Sequence, residues 1–226
     1  MVKGLVQNMK KLVKKINFKI VGLLISLIIF EGLIFFISKL FISTPHLIGS
    51  ILDEKTPFIP QFIYIYFAWY ISLVVIPYYI YTISKDSFNK YIVVYIITTL
   101  ICGFIFIAYP NTITRANITD GGLTNNLIKF IYFMDTPVNC MPSIHCLYSF
   151  LYIYAIIDTR KKSPTYIKIA TIVFSILVVL STLFIKQHII YDAIASFIIS
   201  IIVWIIVDKF KIYEHVNKII KKDNEI

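Results

Sequence analysis

Ser181-Thr-Leu-Phe-Ile-Lys186-Gln-His188-Ile-Ile-Tyr-Asp192 lies between two long apolar runs, yet it carries a lysine, a histidine and an aspartate. Ionisable groups at membrane depth are costly and usually mark function. His188 and Asp192 are four apart, so on a helix they share one face, a turn from each other. An aspartate so placed accepts the histidine ring N–H, fixes its tautomer and leaves the other nitrogen free to attack or to bind a metal. The flanking runs, about 166–185 and 189–207, each approach the ~20 residues that a bilayer needs. The stretch therefore reads as a tight polar turn between two membrane spans.

The rest of the chain agrees with that reading. Its 226 residues are 58% apolar, only 15% charged, and the mean hydropathy is +0.81. Those values fit a polytopic membrane protein and exclude an ordinary soluble domain. The net charge is +10, but the lysines fall in short runs between apolar segments. That pattern fits anchoring to anionic lipid and gives no reason to expect nucleic acid as a partner. Cys102, Cys140 and Cys146 are odd in number and lack close pairing, which argues against a structural disulfide or a zinc site.

Further spans are expected at about 20–40, 58–83, 91–108 and 142–157, which makes six in an all-α bundle. Pro77 is expected to kink the second. A basic amphipathic segment over 1–19, a membrane domain over 20–207 and a charged tail over 208–226 complete the organisation. Glu31 falls inside the first span and faces either a neighbouring helix or the polar site. Ser84 to Lys90 reads as a turn, and 109–141 as the longest non-hydrophobic connection. With six spans both termini lie on one side, and that side collects 17 of the 22 lysine and arginine residues. The excess makes it cytoplasmic. The opposite, extracytoplasmic face then receives Arg115, Ser143, His145, Lys186, His188 and Asp192 together.

Those six residues make a phosphoryl-transfer site that calls for no metal and no cofactor. His188 would attack phosphorus, with Asp192 orienting it and stabilising its positive form. His145, in the first turn of the fourth span, would protonate the leaving oxygen. Arg115 suits bidentate contact with phosphate, and Lys186 and the Ser143 hydroxyl add a charge and a donor. Ser143 also suits the plain role of a helix N-cap, and Lys186 that of a snorkelling side chain. Asp135 is close enough in sequence to shape the pocket.

Pro142-Ser143-x-His145, followed by Ser181, His188 and Asp192 in the spacing S-x6-H-x3-D, resembles the second and third signatures of the type 2 phosphatidic acid phosphatase (PAP2) superfamily. The resemblance implies six membrane helices and a phosphohistidine intermediate. The first signature, K-x6-R-P, is altered: Arg115 is present, but Ala108 and Ala116 stand at its lysine and proline positions. Thr182 replaces the usual arginine of the third signature, and Ile144 the usual glycine of the second. In Tyr109-Pro110…Arg115 and Lys186-Gln187-His188 the chain looks like the branch of inositol phosphorylceramide synthase-like phosphotransferases. The expected activity is hydrolysis of a lipid phosphomonoester or diphosphate at headgroup depth. Transfer of the phosphoryl group to an alcohol through the same histidine is the alternative. A third reading is a transporter or scaffold that keeps the fold without catalysis.

Overall fold

The apolar runs form helices, and their ends are set by capping residues that satisfy the free amides of the first turn. The computed structural model describes residues 16–42, 44–119 and 121–214. Most of the basic N-terminal segment and the tail beyond 214 therefore lie outside the described residues. Helix α1 spans Phe18–Lys39 and starts at Asn17, whose side chain accepts the amides of Lys19 and Ile20. A two-residue strand β1 (His46–Leu47) and a short helix α2 (Ile51–Lys55) follow. A single 3-10 turn, Pro60–Phe62, leads into α3 (Ile63–Ile83), which continues through Pro77. Helix α4 covers Lys85–Ala108. After it come β2 (Asn111–Thr112) and α5 (Leu123–Met134). Three further helices follow, α6 (Ile144–Asp158), α7 (Thr165–Phe184) and α8 (Ile190–Lys209).

Among the described residues, five segments are long and apolar enough to cross a membrane: α1, residues 60–83, α4, α7 and α8. The expected fourth span is the shorter α6, 15 residues or about 22 Å long. It is short because its Ser143 cap lies at the depth of the polar site, and the chain reaches that point as an irregular segment. It packs against α4, α7 and α8, so its surface is largely protein-facing.

Two connections differ from expectation. The turn expected over Ser84 to Lys90 is almost wholly helix. Ser84 is extended and its hydroxyl accepts the Ser87 amide, so α4 begins at once. The 109–141 connection is not simply a loop, since it contains the amphipathic helix α5 and the strand β2. β2 pairs in parallel with β1, His46 with Asn111 and Leu47 with Thr112. This pairing pins the 44–57 segment beside the connection that carries Arg115.

Lys90 is also placed differently from the surface anchor implied by the charge count. Its side chain is only 4% exposed, with Nζ 2.8 Å from Asp158 and bonded to Asp208. The ammonium lies 5.4 Å from the Trp204 ring centre. This group ties α4, α6 and α8 together at the ends opposite the polar site.

Candidate active site

The turn between α7 and α8 is folded by its own backbone. The Gln187 and His188 amides both donate to the Thr182 carbonyl, and Lys186 takes a left-handed φ of 55°. The Tyr132 hydroxyl donates to the Ile185 carbonyl at 2.6 Å. Burial pushes that phenol up to about 12, against the opposing charge of Arg115, so it stays a donor at neutral pH.

Asp192 lies in the first turn of α8 and is fully buried. Its Oδ2 accepts from the Ile189 amide at 3.1 Å and lies 3.0 Å from His188 Nδ1. Assigning protons from this network puts N–H on His188 Nδ1 and leaves Nε2 as the lone-pair nitrogen. That nitrogen is 3.4 Å from His145 Nδ1, which then carries the second ring N–H. The His145 ring is held between Tyr66 and Trp69, with centroids 4.6 and 4.2 Å away. The result is a continuous chain, Asp192–His188–His145, in which each group orients the next.

Two cavities meet at His188. The outer one, about 1110 Å³, has apolar walls from Leu47, Ile51, Leu52 and Leu183, with Arg115 and Lys186 among them. The inner one, about 170 Å³, is lined by both histidines. Arg115 borders both cavities. Its guanidinium lies over the Tyr132 ring at 4.5 Å and donates to the carbonyls of Tyr132 and Asp135 at 3.1 and 2.6 Å.

Lys186 and Ser143, like Arg115, have protein partners in place of the expected phosphate. The Lys186 ammonium donates to the carbonyls of Asp53 and Thr56, the former at 2.6 Å. It therefore closes the end of α2 over the outer cavity. Burial pulls its pKa below the ordinary lysine range, partly offset by the Asp53 charge. The Ser143 hydroxyl accepts the Cys146 amide at 3.3 Å as the α6 cap, and Ser143 lines neither cavity. The structure thus brings His145, His188, Asp192 and Arg115 to one point, with Lys186 at the rim and Ser143 behind the helix start.

Several positioning residues carry no signature in the sequence. Asn111 is fully buried, and its side chain accepts from the Met141 amide and donates to the Met141 carbonyl, at 2.8 and 3.1 Å. That two-way bond sets the approach to α6. Asp53 binds the Ile190 amide through Oδ1 at 2.8 Å and so joins the roof of the outer cavity to the start of α8. Gln187 donates to Asp135 at 2.6 Å. Glu31 faces the site, as a wall of the inner cavity. Among the described residues, no group of three or more His, Cys, Asp or Glu side chains is arranged to hold a metal ion.

Apolar helices of spanning length around a buried His–His–Asp chain define a multi-pass membrane protein with a histidine-centred site. The family model of the PAP2 superfamily matches residues 33–206, and the chain belongs to that superfamily. Searches of curated proteins and of solved structures return no match.

Proposed function

We propose that the protein is a lipid-phosphate phosphatase of the cell membrane, working through a phosphohistidine at His188 on the extracytoplasmic face, in a six-helix arrangement with cytoplasmic termini. The observation that carries this reading is the junction at His188. A large cavity with apolar walls, two cations and the carboxylates of Asp53 and Glu54, the former held by the Ser50 and Ile190 amides, meets an oriented imidazole there, and a second imidazole stands on its far side. A lipid phosphomonoester or diphosphate has the matching chemistry, acyl or prenyl chains joined to an anion.

In the first step His188 Nε2 attacks phosphorus and the bond to the leaving oxygen breaks. His145, doubly protonated in the complex with the phosphate anion, gives that oxygen its Nδ1 proton and returns to the neutral ring with N–H on Nε2. Asp192 holds the Nδ1–H of His188 and offsets the positive charge on the ring. In the second step water attacks phosphorus, its proton passes to His145, and the N–P bond breaks to release phosphate. Arg115 supplies charge to the phosphoryl oxygens, as a preorganised donor does in a water-poor site. Lys186 joins it once phosphate competes for the ammonium now bound to carbonyls.

Purified protein in lipid nanodiscs, given phosphatidate, is expected to release free phosphate and to form an acid-labile phosphoprotein. His188→Ala is expected to lose both. Phosphate release at the wild-type rate from that variant defeats the proposal.

A further inference from the structure

Helix α5 is held to the rest of the protein along one edge of a broad apolar face. Leu127, Ile128 and Ile131 pack with Ile63 and Tyr66 at the start of α3 and with Ile185 at the end of α7. At 3.6 residues per turn, Leu123, Phe130, Phe133 and Met134 fall in the neighbouring arc of about 100°, with Asn126 among them. These four apolar side chains are more than half exposed, Leu123 at 70% and Phe133 at 81%. The remaining side carries Asn125 and Lys129. Exposed apolar residues scattered singly are ordinary, but four on one helix face mark a contact surface.

The place of the helix says what covers that surface. At 12 residues, about 18 Å, α5 is too short to span a bilayer. Both of its ends are tied to the level at which spans begin or end. The Tyr64 and Thr124 hydroxyls share a hydrogen bond of 2.9 Å, and Tyr64 lies in the first turn of α3. The Tyr132 hydroxyl bonds the carbonyl of Ile185, the residue that ends α7. Tyr64 is itself half exposed, so the lipid-facing flank of α3 begins beside α5. A helix at this level, with protein on one edge, an exposed apolar arc and a polar side, suits the boundary between headgroups and acyl chains. Aromatic rings such as Phe130 and Phe133 fit the apolar side of such a helix.

The last turn of α5 also carries part of the site. Arg115 donates to the Tyr132 and Asp135 carbonyls and stacks on the Tyr132 ring. Those carbonyls lie at the helix C-terminus, the negative end of its dipole, which favours a cation. Met134 and Asp135 line the inner cavity beside the histidines. A helix of this length is marginal in water by itself, so what covers its apolar face decides whether it stays formed. We infer that α5 lies in the headgroup boundary of the leaflet at the histidine end, and that lipid contact there holds Arg115 in place for phosphate. The second half rests on the phosphate role given to Arg115 in the proposed function. Lipid covers the four exposed side chains, the helix stays formed, and its terminal carbonyls keep the guanidinium at the border of the two cavities.

Position and coupling are measured separately, on the protein in phosphatidylcholine nanodiscs. The native cysteines are buried, so Phe133→Cys takes a nitrobenzoxadiazole label at one place. Lipids spin-labelled at acyl carbon 5 are expected to quench that label at least twice as strongly as lipids labelled at carbon 12. The same label on Asn125→Cys is expected to be quenched less than half as much. No quenching at position 133, or stronger quenching from carbon 12, overturns the inference. For the coupling the probe is inorganic phosphate, with binding read by calorimetry, which requires no turnover. Phe130→Gln with Phe133→Gln is expected to weaken phosphate binding about tenfold, and Phe130→Leu with Phe133→Leu to leave it unchanged. In Arg115→Ala the glutamine pair is expected to add less than a twofold loss, since both changes act through one contact. A native protein that binds no phosphate overturns the coupling, as does binding that ignores the glutamine pair or falls equally with the leucine pair. So does a further tenfold loss in Arg115→Ala. Phosphate bound as expected, by a protein that releases none from phosphatidate, sustains the inference and defeats the proposed function instead.

Discussion

At the residue scale, the decisive contact is the 3.4 Å approach of His188 Nε2 to His145 Nδ1. It gives the two rings different duties, and those duties can be separated. His188→Ala is expected to abolish turnover of every substrate, because no nucleophile remains. His145→Ala is expected to lower phosphatidate turnover by about 10²–10⁴-fold, the range of a general acid. The first step of the same variant on p-nitrophenyl phosphate is expected to fall far less, since that leaving group needs no proton. Burst-phase release of nitrophenol measures it, and an equal loss on both substrates contradicts the assignment. Asp192→Asn keeps the shape but offers an amide to the ring N–H, and a loss of at least tenfold in kcat is expected. Cys140 gives a separate check. Burial, with the Asp192 and Asp135 charges adding to it, lifts its thiol above the ordinary range, and Cys102 and Cys146 are buried too. The folded protein is expected to resist maleimide at pH 8 and to react at once when denatured.

At the scale of elements, the site depends on how the chain enters α6 and leaves α7. Asn111→Ala removes a two-way bond to Met141 and leaves a buried N–H and C=O without partners. A loss of about 2–6 kcal/mol is expected, seen as a lowered melting temperature, from ~1–3 kcal/mol for each of the two orphaned groups. Asn111→Asp keeps the acceptor but sets a carboxylate oxygen against the Tyr109 and Met141 carbonyls, so no recovery is expected. Neither the bond nor its importance was legible in Tyr109-Pro110-Asn111, because its partner lies 30 residues away. The His188–Asp192 pair was legible because its partners are four residues apart and sit in apolar surroundings, although His188 lies in the turn just before α8 and not on the helix. Ser143 and Lys186 show the limit of such reading. Residue type left phosphate contact or an N-cap open for Ser143, and phosphate contact or a snorkelling role for Lys186, while the fold shows Ser143 capping α6 and Lys186 donating to two carbonyls. Helix α5 was hidden for a similar reason, since its apolar stripe covers only one face and its polar residues read as loop.

At the scale of the whole molecule, hydropathy located the apolar helices, but it could not say that α6 would be both short and central. The number of spans follows from tertiary burial as much as from composition. The lysine count behind the sidedness included Lys90, which the fold uses as an internal tie. Lys90→Met leaves Asp158 and Asp208 facing each other. Because Asp208 is half exposed, the cost is expected near 1–3 kcal/mol, below the ~3–5 of a wholly buried pair. Thermal unfolding in nanodiscs measures it. A change within 0.5 kcal/mol shows that the tie contributes little.

That tie has a counterpart at the other end of the same two helices. Lys90 joins the ends of α6 and α8, while close to the histidines the Ser196 hydroxyl is shared between the Ser143 carbonyl at 2.8 Å and the Asp192 carbonyl at 2.6 Å. The pair is thus a frame braced at top and bottom, and the distance between nucleophile and acid is set inside it. Lipids that stretch or compress the outer helices act on the outside of that frame. Turnover by the native protein is therefore expected to vary little between thin and thick bilayers, from 14- to 20-carbon acyl chains. In Lys90→Met, with one brace removed, bilayer thickness is expected to govern the rate.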